Sequence, residues 1–167
     1  MEGTMRVSQI LVKMIGCAER NLHDISHFMK VYAYAKTIGE CEGLAPEQQR
    51  VLEVAAIVHD IACPLCREKY GNTNGKRQEE EGMVLARAFL AQTGLTQEEV
   101  ERIVFLVGHH HTFKGISGLD YQILVEADYL VNAEESSYPP SNLDAAGKTL
   151  FKTATGRALL RSIYGVT

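Results

Sequence analysis

A chain of 167 residues with 46% hydrophobic content is long enough to bury a core of its own, so one domain spanning residues 1–167 is expected. A net charge of −4 and a pI near 5.9 exclude any general pull toward nucleic-acid polymers or anionic membranes. No long uncharged apolar run marks a signal peptide or a membrane span, and four cysteines are too few for a disulfide scaffold, so reduced thiols and a cytoplasmic location are expected.

Residues 5 to 18 place Met5, Ile10, Leu11, Met14, Ile15 and Ala18 at helical spacing and carry no chemistry, which predicts a packing helix. Next, Asp24 is placed to cap a helix whose inward stripe is His27, Val31, Tyr34 or Ala35, and Ile38. His27 alone would read as a hydrogen-bonded core histidine. His23 could share its face but precedes the cap. Gly43 to Pro46 is a turn, with Pro46 opening a helix through Val51, Leu52, Val54, Ala55, Val58 and Ile61. That helix carries His59 and Asp60, and Pro64 is expected to end it, putting the pair on its last turn. Residues 63 to 77, rich in turn formers and basic groups, read as a loop over the site.

A helix from about Gln78 to Gln92 is stopped by Gly94, and Thr96 with Glu99 forms a capping box for the next. The latter runs through Val100, Ile103, Val104 and Val107 to the triplet His109, His110 and His111. Helical phase puts His110 on the stripe of Ile103 and Val107, with His109 nearly as well placed and His111 facing solvent. After a glycine-bearing loop, Asp120 can cap a helix in which Asp128 is flanked by Ala127 and Leu130. A carboxylate in so apolar a helix is expensive unless paired or metal-bound. Ser136 to Asn142 reads as a loop, followed by short helical stretches around Leu150 and from Ala158 to Ile163. With no strand-like alternation and no repeat, the expected fold class is all-α, with a core over about 20–135 and a helical tail over 136–167.

The segments D-I-S-H-F-M-K-V (Asp24 to Val31), V-H-D (Val58 to Asp60), H-H (within His109 to His111) and E-A-D-Y-L (Glu126 to Leu130), in that order, resemble the HD superfamily of metal-dependent phosphohydrolases. The resemblance implies a helical bundle with the metal between helices, held by His27, His59, Asp60 and Asp128. Two imidazoles and two carboxylates independently suit a divalent ion such as Mn, Fe, Co, Ni or Zn, with Mg as the hard alternative. Asp60 could accept the proton of an attacking water, while His109 and His110 resemble the family histidines that bind a second ion or the phosphate. Lys76 and Arg77 could receive substrate phosphate as cations, or be a solvated helix start. A small phosphorylated substrate, most naturally a nucleotide, is implied, and a homo-oligomer is left open.

Two features depart from the family pattern. Many two-metal members place a histidine four residues before the glycine matching Gly82, where this chain has Gln78, a poor ligand for a first-row metal. Some nucleotidase members carry a glutamate soon after the His-Asp pair, where Ile61, Ala62 and Cys63 stand here. Cys63-Pro-Leu-Cys66 lacks a second cysteine pair for zinc and a β-α-β context for thioredoxin-like chemistry, so packing is its first reading. The alternative function is a metal-binding module that senses a ligand or redox state without turnover.

Overall fold

The computed structural model describes residues 3–166, and among them there is no strand. Nine helices follow in order: α1 (Val7–Cys17), α2 (Leu22–Cys41), α3 (Pro46–Val58), α4 (Cys63–Tyr70), α5 (Gly75–Leu90), α6 (Gln97–Val107), α7 (Leu119–Glu135), α8 (Pro140–Thr149) and α9 (Ala154–Tyr164). None is long and apolar enough to cross a membrane.

Helix α3 is the axis. Pro46 opens it at a position where a missing N–H costs nothing, and from Val51 to Val58 every residue is buried. Apart from Glu53, which pairs with Lys36, that stretch is apolar on all sides and must be enclosed by other elements. Here α1, α2, α6 and α7 pack around it, and α2 also lies along α7. His27 on α2 and Asp128 on α7 are therefore brought to the end of α3, where the chain leaves the helix through His59 and Asp60.

Several expected boundaries move. Asn21, not Asp24, caps α2 by accepting the Asp24 N–H, which leaves His23 and Asp24 inside the first turn. Pro64 does not end α3; it sits in the first turn of α4, within the stretch expected to be a loop, and α3 itself stops at Val58. The loop shrinks to the residues between Tyr70 and Gly75, because a proline that breaks one helix is equally suited to begin the next. Gly118, not Asp120, precedes α7, and Asp120 pairs with Arg102 instead. In the tail, α8 begins at Pro140, inside the expected loop, and Leu150 lies at its end.

Glu126 fastens the tail to α7. Its fully buried carboxylate accepts from Gln122 Nε2 (2.7 Å), the backbone N–H of Lys152 (2.6 Å) and Thr153 (3.0 Å), and the Thr153 hydroxyl (2.5 Å). Gly156 passes so close that a Cβ there would collide with Glu126 Oε2.

Candidate metal centre

His59 is the C-cap of α3 and keeps helical backbone angles (φ −56°, ψ −36°), and the chain then tightens into a turn in which the Ile61 N–H donates to the Val58 carbonyl. His27 Nε2 lies 3.1 Å from His59 Nε2, 3.1 Å from Asp60 Oδ2 and 3.2 Å from Asp128 Oδ1. His59 Nε2 is 3.4 Å from Asp60 Oδ2 and 3.3 Å from Asp128 Oδ1. The ligand atoms of His27, His59 and Asp60 thus all lie within 4.8 Å of one another, and Asp128 joins them through its contacts with the two histidines.

The second nitrogen of each ring decides what that point wants. His27 Nδ1–H donates to Glu135 Oε2 (2.8 Å), and His59 Nδ1–H donates to the Ala56 carbonyl (2.7 Å). With both Nδ1 positions carrying hydrogen, each neutral ring offers an Nε2 lone pair to its neighbours. Two lone pairs and two carboxylates this close repel unless positive charge stands among them. Without a cation, protons supply it. Burial opposes protonation of His27, but its bonds to Asp128 and Asp60 outweigh that and push its pKa up to about 11. His59, also opposed by burial, is held up to about 10 by the charge of Asp60 and the bond to Asp128. Burial works against the charged carboxylates too, yet the histidines hold Asp60 and Asp128 well below the usual carboxylate range. A divalent ion fits where the protons stand, and the N₂O₂ donor set suits a first-row metal.

A second donor group adjoins the first. Ligand atoms of Asp60, His110 and His111 all lie within 4.8 Å of one another. His110 is fully buried; its Nδ1–H donates to the Val107 carbonyl, and its Nε2, 3.3 Å from Asp60 Oδ1, has no hydrogen-bond partner. Gln78 Nε2 donates to the Thr73 carbonyl, which turns Oε1 toward His111 Nε2 at 3.1 Å. An amide oxygen only accepts, so His111 carries its hydrogen on Nε2 and keeps a lone pair on Nδ1. Burial and the neighbouring His110 lower the His111 pKa to about 4, so this ring is neutral at pH 7.

The histidine triplet departs from its expected roles. His110 is inward, as the stripe of Ile103 and Val107 implies. His109 is not brought to the site: its Nδ1–H donates to the Phe105 carbonyl, and its ring stacks on Phe105 with centroids 4.0 Å apart. His111, expected to face solvent, lines the metal cavity. The reason is that α6 ends at Val107, and the turn that follows is held from outside. Glu79 accepts the His111 N–H and the Thr112 hydroxyl, both at 2.9 Å, while the Tyr121 hydroxyl donates to the His109 carbonyl.

Lys76 and Arg77 do not line the cavity either; both are exposed, and Arg77 lies over the Tyr70 ring at 3.8 Å. The cation at the mouth is Arg67, paired with Asp24. Sequence reasoning misses Arg67 because the turn formers over residues 63 to 77 mask the helix that carries it. It also misses Glu135, although Glu135 lies seven residues, about two helical turns, after Asp128 on α7 and so shares its face. Cys63 borders the cavity and Cys66 is buried beside it, and burial raises both thiols, so neither is a reactive thiolate.

A helical bundle that gathers two imidazoles and two carboxylates beside an open cavity defines a candidate metal-binding site. The chain belongs to the HD domain family, whose model matches residues 24–135. A crystal structure of a predicted HD superfamily hydrolase from an uncultured Thermotogales bacterium is similar over 99% of this chain and 88% of that one, with 25% identity and a TM-score of 0.71. No curated protein matches the chain with significance. Together with the donor set, these likenesses support a metal-dependent hydrolase.

Proposed function

We propose that this protein is a metal-dependent phosphohydrolase that cleaves a small phosphate ester, with nucleotides as the first substrate class to test. The observation that carries the reading is the convergence of His27, His59, Asp60 and Asp128 beside a cavity of about 240 Å³. When bound, a divalent ion lowers the pKa of a coordinated water and neutralises charge developing on a phosphoryl group. The chain's own groups complete the requirements. Asp60 faces His27 and His59 with Oδ2 and His110 with Oδ1, so a proton it takes from water can pass to the His110 imidazole while the carboxylate stays charged. His110 Nε2, buried and 3.3 Å from Asp60 Oδ1, is an acceptor in the second donor group that Asp60 shares with His110 and His111. Arg67 supplies a guanidinium fork at the mouth, a geometry matched to phosphate oxygens.

In this reading the partner is a small phosphorylated metabolite in the cytoplasm, not a nucleic-acid polymer or a membrane. Phosphate release from a panel of nucleotides and sugar phosphates with added Mn, Co or Ni tests it, beside Asp60→Asn. Turnover that Asp60→Asn abolishes supports the proposal. If the wild-type protein binds metal yet releases no phosphate from any ester, the non-catalytic sensing module replaces it.

A further inference from the structure

The metal cavity is too small and too polar for the organic part of an ester. Its volume of about 240 Å³ falls below the range of about 300–1,000 Å³ usual for pockets that enclose organic ligands. Apart from the Cys63 thiol, its walls are histidine, carboxylate, amide, hydroxyl and guanidinium groups. A phosphoryl group would be at home there; the alcohol it leaves behind would not.

A larger groove of about 630 Å³ shares one wall with that cavity, and the shared side chain is Arg67. The groove runs between the α1–α2 corner, α4 and α5, with an apolar lining of Ile61, Pro64, Leu65, Leu85 and Phe89. Glu19 and Glu68 stand at its edge as acceptors. Glu19 and the following Arg20 hold left-handed backbone angles, φ 49° and 63°, which non-glycine residues adopt at a cost and which recur beside functional sites. Another cavity, of about 470 Å³, lies by α3, α6 and the start of α7, but it holds none of the site histidines and its arginines are paired with Glu99 and Asp120.

We propose that the α1–α2/α4/α5 groove is the leaving-group subsite of the phosphohydrolase, taking a flat, largely apolar alcohol edged with hydroxyl or amine donors, and that Arg67 turns from Asp24 to the phosphoryl group between the two compartments. This rests on the phosphohydrolase reading of the metal centre. Arg67 is suited to the move: its side chain is 40% exposed, and its partner Asp24 belongs to the cavity wall. Leu65 and Leu85 are half-buried, and neither is among the metal-facing residues, so filling the groove leaves the donor set alone.

The test is calorimetric binding of two non-hydrolysable probes, phenylphosphonate and methylphosphonate, to the full chain loaded with Mn(II). The wild-type protein is expected to bind the phenyl probe at least tenfold more tightly. Leu65→Trp, with Leu85→Trp as an independent second variant, should abolish that preference while the methylphosphonate Kd stays within twofold. Equal wild-type affinities for the two probes, or a preference that survives both tryptophan variants, overturns the subsite but leaves the metal-centre reading standing. Failure of the metal-loaded protein to bind either probe overturns both.

Discussion

Replacing Glu126 with alanine should damage the fold more than any single change at the surface, and the structure sets the size of the effect. The carboxylate takes four donors, of which the Thr153 N–H and hydroxyl are buried. Each buried polar group left without a partner costs about 1–3 kcal/mol, so with partial relaxation Glu126→Ala should lose roughly 3–5 kcal/mol. For a chain of this length each kcal/mol moves Tm by roughly 2–4 °C, giving a fall of about 10 °C. In Glu126→Gln the remaining oxygen can still accept from Gln122, Lys152 and Thr153, and the new NH₂ can donate to the Thr153 hydroxyl oxygen, so roughly 1–2 kcal/mol should go. Thermal unfolding by circular dichroism, with amide exchange at Thr153, checks both variants. A Glu126→Ala melting point within 2 °C of wild type and an unchanged Thr153 amide would refute the argument that this carboxylate anchors the tail.

Glu135→Gln should weaken metal binding about 10- to 100-fold, because the carboxylate on His27 Nδ1–H fixes the ring and raises its basicity; isothermal titration with Mn(II) reads this, and an unchanged Kd removes Glu135 from that role. Among the histidine variants, His110→Ala and His111→Ala should each lower kcat/KM at least tenfold on the best substrate, whereas His109→Ala should fall less, since its ring is committed to Phe105; a worse His109→Ala would mean the turn after α6 is set differently in solution. Removing the metal with a chelator should lower Tm by several degrees, and a superimposable melt after verified removal would count against a site in the core. Glu99 gives the acid limb of stability. Burial alone would raise its pKa, but the Thr96 cap and Arg50 bring it below the ordinary 4.5, so its contribution is present above that value and lost as pH falls through the folded pKa. The Tm difference between wild type and Glu99→Gln should therefore be largest near pH 7 and shrink below pH 4.5; a constant difference across that range would show that Glu99 is not so depressed.

What could be read in advance follows the range of the interactions involved. The all-α class was legible because nearly every segment repeats its apolar residues at helical spacing. His27 and Asp128 stood out because each lies on an otherwise apolar stripe, where a polar group is costly unless others join it. His59 and Asp60 stood out as the polar end of a run in which every residue from Val51 to Val58 is buried. Helix ends were less legible, because the cap is chosen by competition between neighbours: Asn21 takes the position Asp24 might have had. Pro64 shows the same ambiguity, since a proline fits the start of one helix as well as the end of another.

His110 turns inward as its stripe implies, but His109 and His111 depart from expectation for a deeper reason. A 100° rule assigns faces only while the helix lasts, and α6 lasts to Val107. Beyond it the ring directions are set by groups far away in sequence: Glu79 and Gln78 on α5 for His111, and Tyr121 on α7 for the turn as a whole. Gln78 then reads differently in space than in sequence. At the place where two-metal relatives carry a ligand, its amide donates to Thr73 and accepts from His111, so it acts as the group that decides which nitrogen of His111 carries the hydrogen. A leucine there would remove that constraint and let the ring turn, while a histidine could add a donor of its own. The choice of glutamine therefore fixes the tautomer of His111 and leaves its lone pair on Nδ1.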